Sequence, residues 1–144
     1  MDTWYWKCWT TLMLLIGTFH VVQSSSATFK ISAVGQNLIG NDENGDIPAY
    51  SLQLPIDQQV TLVAQGIVMP RGKEPQASEP DVGTWLFDDS VFQLLPHDRN
   101  QFNATQISIT LKPVRSVAIE TRVRFVGNIL GYDRKYDVLI NTSN

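Results

Sequence analysis

The stretch Gln106-Ile107-Ser108-Ile109-Thr110-Leu111 alternates polar and aliphatic residues without a break. Successive side chains of an extended chain point to opposite faces, so a period of two marks a strand with one face in a core and the other in water. Towards the N-terminus the same period returns at Thr28–Ala33, where Phe29, Ile31 and Ala33 alternate with Thr28, Lys30 and Ser32. It returns again at Leu52 and Leu54, spaced by Ser51 and Gln53. Val60–Gly66 is more uniformly apolar, as suits a central strand. Towards the C-terminus, Val117–Val126 is long and rich in β-branched residues, with Val117, Ile119, Val123 and Phe125 predicted to share one face. Tyr136, Val138 and Ile140 make a last alternating strand.

Turn-forming residues separate these segments: Gly40–Asp46, Pro96–Asn100 and Asn128–Gly131. No twelve-residue helical stripe occurs beyond residue 27. The pattern predicts an all-β fold, an antiparallel sandwich of about seven or eight strands. The stretch Met69–Gly83 interrupts it, with Pro70, Pro75 and Pro80 among charged residues and no strand or helix period. It reads as a Pro-rich loop, either a plain insertion or a working loop.

A core-type strand at Val60–Gly66, Trp85 some twenty residues on, and Asn128–Gly131 before a final strand resemble the B, C and F–G parts of immunoglobulin-like domains. The resemblance implies an immunoglobulin-like β-sandwich. Neither cysteine of that family's inter-sheet bridge is present, and no tyrosine stands at the usual place near the penultimate strand.

The N-terminus has a different character. Lys7 precedes an apolar run from Trp9 to Phe19, and small residues follow at Ser24, Ser25, Ser26 and Ala27. This is the layout of a signal peptide, with cleavage expected after Ser24 and Ser26 as second choice. The apolar run is shorter than the roughly 20 residues that a membrane-spanning helix needs, and no second run of that kind follows. Residues 1–24 are therefore expected to be lost, leaving 25–144 as one secreted, extracellular domain. Asn103-Ala104-Thr105 and Asn141-Thr142-Ser143 fit the N-glycosylation pattern, which agrees with that route, and Asn103, in a polar stretch just before a strand, is the first choice of the two. The chain's one cysteine, Cys8, lies in the expected leader, so packing alone must hold the domain. The formal net charge of −3 argues against nucleic-acid binding.

Candidate chemistry is sparse. The run Asn41-Asp42-Glu43-Asn44-Gly45-Asp46 collects oxygen donors, but an EF-hand counted from Gly45 needs acidic residues where Gly40 and Ser51 stand. It reads as a solvated turn, and no metal or other cofactor is expected. His97 is the one histidine after the leader and has no nucleophile signature near it in sequence, so no enzymatic activity is expected. The polar face of the long C-terminal segment carries Glu120, Arg122 and Arg124, with Arg115 shortly before. Together with Arg71 and Lys73 in the Pro-rich loop, they are the candidate interaction residues for an extracellular or membrane-bound protein partner of unknown identity. Trp85, Phe87 and Phe92 are the candidates for a cleft that would instead hold a glycan or lipid. The sequence thus points to a non-enzymatic binding glycoprotein, with small-ligand binding and a structural extracellular role as alternatives.

Overall fold

The computed structural model of the chain describes residues 25–41 and 47–142. The expected signal peptide and the polar run at 42–46 lie outside them. The described residues form β1 (Ser26–Ala33), β2 (Ile39–Asn41), β3 (Ala49–Gln53), β4 (Val60–Met69), β5 (Gln76–Ala77), β6 (Val82–Leu86), β7 (Phe92–Leu95), β8 (Gln106–Pro113), β9 (Thr121–Ile129) and β10 (Tyr132–Asn141). One sheet runs β1-β4-β8-β7, with β5 paired to the far end of β4. The other runs β2-β3-β10-β9-β6. All pairs are antiparallel except β3 with β10.

Immunoglobulin domains place strands A, B, E and D in one sheet and C, F and G in the other. Here β1, β4, β8 and β7 take the first order, and β6, β9 and β10 take the second. The chain is an immunoglobulin-like β-sandwich. The uniformly apolar segment becomes strand B because β4 lies between β1 and β8, which leaves Val63 buried even though it faces away from Leu62 and Ala64. Trp85 falls on strand C, and Leu130 and Gly131 form the two-residue turn between F and G.

Two expectations are corrected. The strand read at Val117–Val126 begins only at Thr121. Residues 114–120 carry the chain from one sheet to the other and form no strand, and Ile119 is 76% exposed rather than buried beside Val123 and Phe125. The stretch read as an unpatterned loop at Met69–Gly83 contains the end of β4, the whole of β5 and the start of β6. Its proline spacing hid a short hairpin in which Ile67 pairs with Ala77 and Val68 with Gln76. The Ser78 amide then donates to the Gly66 carbonyl at 2.9 Å.

Aromatic packing fills the centre, where antibody domains set tryptophan against a disulfide. Phe125 meets Phe29 edge-on at 4.8 Å between ring centroids and lies 5.1 Å from Trp85, its cross-strand partner. Phe29 is on the opposite sheet, so these rings join the two layers. Space for them is made by Gly83 and Gly127, which are paired across β6 and β9. A Cβ on Gly127 would come within 2.7 Å of Phe125 and 2.8 Å of Phe29. At the other edge, the Tyr136 hydroxyl of β10 accepts from the Phe29 amide of β1 at 3.2 Å and bonds the Thr28 hydroxyl.

Candidate interaction surfaces

The outer face of the β2-β3-β10-β9-β6 sheet is built from the residues that alternate with the core. Register sets Ile39, Ser51, Leu139 and Arg122 in one row across the strands. The next row is Ala49, Asp137, Arg124 and Leu86. Asp137 sits between the two arginines and is the cluster's centre, its side chain only 8% exposed. Arg124 takes both carboxylate oxygens, Nε to Oδ1 at 2.7 Å and Nη2 to Oδ2 at 3.1 Å. These bonds hold the Arg124 guanidinium above its ordinary pKa. Arg122 keeps a single 3.3 Å contact from Nε to Oδ2, and its side chain is 60% exposed against 28% for Arg124. Around this cluster Ile39, Val82 and Leu86 are each more than half exposed.

Of the other expected interaction residues, Glu120 is exposed and precedes β9, so it does not continue the row as a strand residue. Arg115 lies in the connection after β8, where its Nη2 reaches the Ser90 hydroxyl at 3.5 Å. Arg71 and Lys73 are exposed between β4 and β5. The structure therefore brings Arg122 and Arg124 together and leaves the other four apart. Asp137 was missed because it lies thirteen residues beyond Arg124 on another strand; the alternation of Asp133, Lys135 and Asp137 was the available signal.

A groove of about 540 Å³ opens between β6 and the β7–β8 pair, with Trp85, Leu94, His97, Arg99, Ile107 and Ser108 on its walls. Of the expected ligand-cleft residues, Trp85 alone reaches it. Phe92 is 1% exposed within the core, and Phe87 is half-buried against that core. The Trp85 ring also has a structural task, since Nε1 donates to the Ile107 carbonyl at 3.1 Å and bridges the sheets. His97 Nε2 and the Ser108 hydroxyl are 2.7 Å apart, and the imidazole stands edge-on to Phe102. A hydrolytic pair needs a group that orients the base and donors for an oxyanion. Among the described residues no carboxylate bonds His97, and Ser108 is paired within the sheet opposite Val63, so this contact ties the β7–β8 connection to β8.

Asp88 opens the turn that precedes β7. The Ser90 hydroxyl and amide donate to Asp88 Oδ1 at 2.6 and 2.9 Å and hold its carboxyl below the ordinary range. Asp88 therefore caps the turn into β7. Among the described residues no group of three or more metal-ligating side chains is gathered, and no helix is long and apolar enough to cross a membrane.

The two asparagines of the glycosylation pattern differ in setting. Asn103 is exposed in the turn before β8, and its Oδ1 accepts from the Thr105 amide at 3.0 Å and from the Thr105 hydroxyl. Asn141 is half-buried in β10, opposite Gln53 of β3, and its carbonyl accepts from the Leu54 amide at 2.9 Å. Its neighbour Thr142 is fully buried, with Oγ1 accepting from the Val117 amide at 3.0 Å.

No family model matches the chain. No curated protein matches it either. Among solved structures, a chimeric titin Z1Z2 functionalized with a KLER exogenous peptide from decorin is similar at a TM-score of 0.41 and 10% sequence identity, over 82% of this chain and 97% of that one.

Proposed function

We propose that the chain is a secreted, non-enzymatic glycoprotein domain that binds another protein through the outer face of its five-stranded sheet. The observation that carries the reading is the Arg122–Asp137–Arg124 cluster set among exposed Ile39, Val82 and Leu86. Two arginines against one carboxylate leave a positive charge on a face that also presents exposed aliphatic side chains, beside Ser51, Thr84, Asp133 and Lys135. That combination suits a partner offering a carboxylate inside an apolar patch, since arginine and apolar anchors dominate protein interfaces. The other sheet turns a polar surface outwards, with Lys30 and Ser32 exposed and the Thr61 and Thr110 hydroxyls bonded to each other at 2.7 Å. The signal-peptide layout of 1–24 and the two glycosylation patterns support the extracellular setting.

The test is a binding screen of the purified 25–144 domain against extracellular and cell-surface proteins, followed by Arg122→Ala and Leu86→Asp in the same format. Each is expected to weaken the selected interaction by about 30-fold, as loss of a central anchor does, with the fold unchanged. A partner bound equally well by both variants would move the site off this face, and a screen without any partner would remove the reading.

The groove beside Trp85 favours a second reading, a small apolar or glycan ligand. Trp85 is the only tryptophan after residue 24, so a ligand in the groove is expected to change its emission.

A further inference from the structure

Resting on the extracellular reading, we infer that Asn103 carries an N-linked oligosaccharide and that Asn141 does not. The sequence pattern treats the two alike; the structure does not.

At Asn103 the acceptor geometry is complete and local. Oδ1 is engaged twice by Thr105, which turns the side chain back on its own backbone. The Asn103 amide donates to Gln106 Oε1 at 3.2 Å, and the Gln106 amide donates to the Asn103 carbonyl at 3.1 Å. Among the described residues nothing bonds Nδ2, and the residue is exposed, so this nitrogen faces water. The Gly66 amide of β4 reaches the Thr105 carbonyl at 2.8 Å in the folded sheet, but the two bonds to Oδ1 that polarise the carboxamide lie within residues 103–105, and that local arrangement needs no distant strand. It can therefore form before the sandwich closes.

Asn141 is instead the last residue of a strand, and Ser143, the third residue of its pattern, lies outside the described residues. Pairing with β3 half-buries the asparagine, and the buried Thr142 hydroxyl fixes the backbone that follows. An oligosaccharide there would have to leave from the β3–β10 pair.

The transfer takes a glycosyl diphosphate as donor. Asn103 Nδ2 bonds to the anomeric carbon as that carbon's bond to the diphosphate oxygen breaks. The electron pair leaves with the diphosphate, the nitrogen gives up one proton to a base, and nothing is oxidised or reduced.

The experiment is expression of the full chain in secretory animal cells, with intact mass and peptide sequencing by mass before and after amidase removal of N-glycans. The enzyme leaves aspartate where a glycan stood. The expected result is a glycan-dependent mass shift with aspartate at position 103 only. It is abolished by Asn103→Gln and also by Thr105→Ala, a second route should the first variant fold poorly. Thr105→Ser retains it, and Asn141→Gln leaves it unchanged. A chain in the medium, cleaved near Ser24, with its glycan on Asn141, on both sites or on neither overturns this inference and leaves the extracellular reading standing. An uncleaved, unglycosylated chain kept inside the cells overturns both.

Discussion

Arg122 and Arg124 stand two residues apart on β9 and reach the same carboxylate, yet they do different work. Arg124 is mostly covered and supplies two of the hydrogen bonds of Asp137, whereas Arg122 makes one longer contact from a largely exposed position. Removing the partner of a buried carboxylate leaves that charge undercompensated, while removing an exposed cation changes little. Arg124→Ala is therefore expected to lower the unfolding free energy by about 1–3 kcal/mol, and Arg122→Ala by about 0.5 kcal/mol or less, both read from urea titrations. Equal losses would mean that the two arginines share the carboxylate evenly. The asymmetry also makes Arg122 the better probe of binding, because its loss leaves the fold intact.

Among the elements, the β6–β9 pair decides how the core is filled. Gly83 and Gly127 face each other there, and the ring of Phe125 occupies the room that two side chains would take. Gly127→Ala inserts a methyl group into the Phe125 and Phe29 rings and is expected to destabilise by about 1–3 kcal/mol, as overpacking does. Gly40→Ala is the control, since nothing lies within 4 Å of a Cβ at that position and its φ is not positive. Its effect is expected to stay within about 0.5 kcal/mol. Thermal or urea unfolding of both variants checks the contrast; an unchanged Gly127→Ala would show that the aromatic cluster yields easily. The turn that joins β9 to β10 is equally particular: Leu130 has φ 50° and Gly131 φ 81°, the left-handed pair that a tight two-residue hairpin requires.

At the scale of the whole molecule, the sandwich is held across its layers by Phe29 on Phe125, by Trp85 on Ile107 and by Tyr136 on β1. No disulfide contributes, because the one cysteine of the chain is Cys8. These cross-layer contacts lie within one core, so both sheets are expected to unfold together. Trp85 fluorescence and far-ultraviolet circular dichroism of the 25–144 domain should give coincident urea transitions, with or without reductant. Transitions that separate would show one sheet surviving the other.

The strand content of the fold was legible in the sequence because burial on one face writes a period of two. That period marked β1, β3, β8 and β10, and the more uniformly apolar run marked β4 as an inner strand. The absence of a covalent staple was legible too, from Cys8 alone. Composition does not encode where a strand's neighbour lies, so only the tertiary structure decided that Val114–Glu120 crosses between sheets, that the proline-rich stretch holds a paired strand, and that Phe92 is core. The same holds for the site. Arg122 and Arg124 could be read as a charged row, but their shared carboxylate comes from Asp137 on β10, brought alongside by hairpin register. Local alternation fixes which way a side chain points, and long-range pairing fixes what it meets.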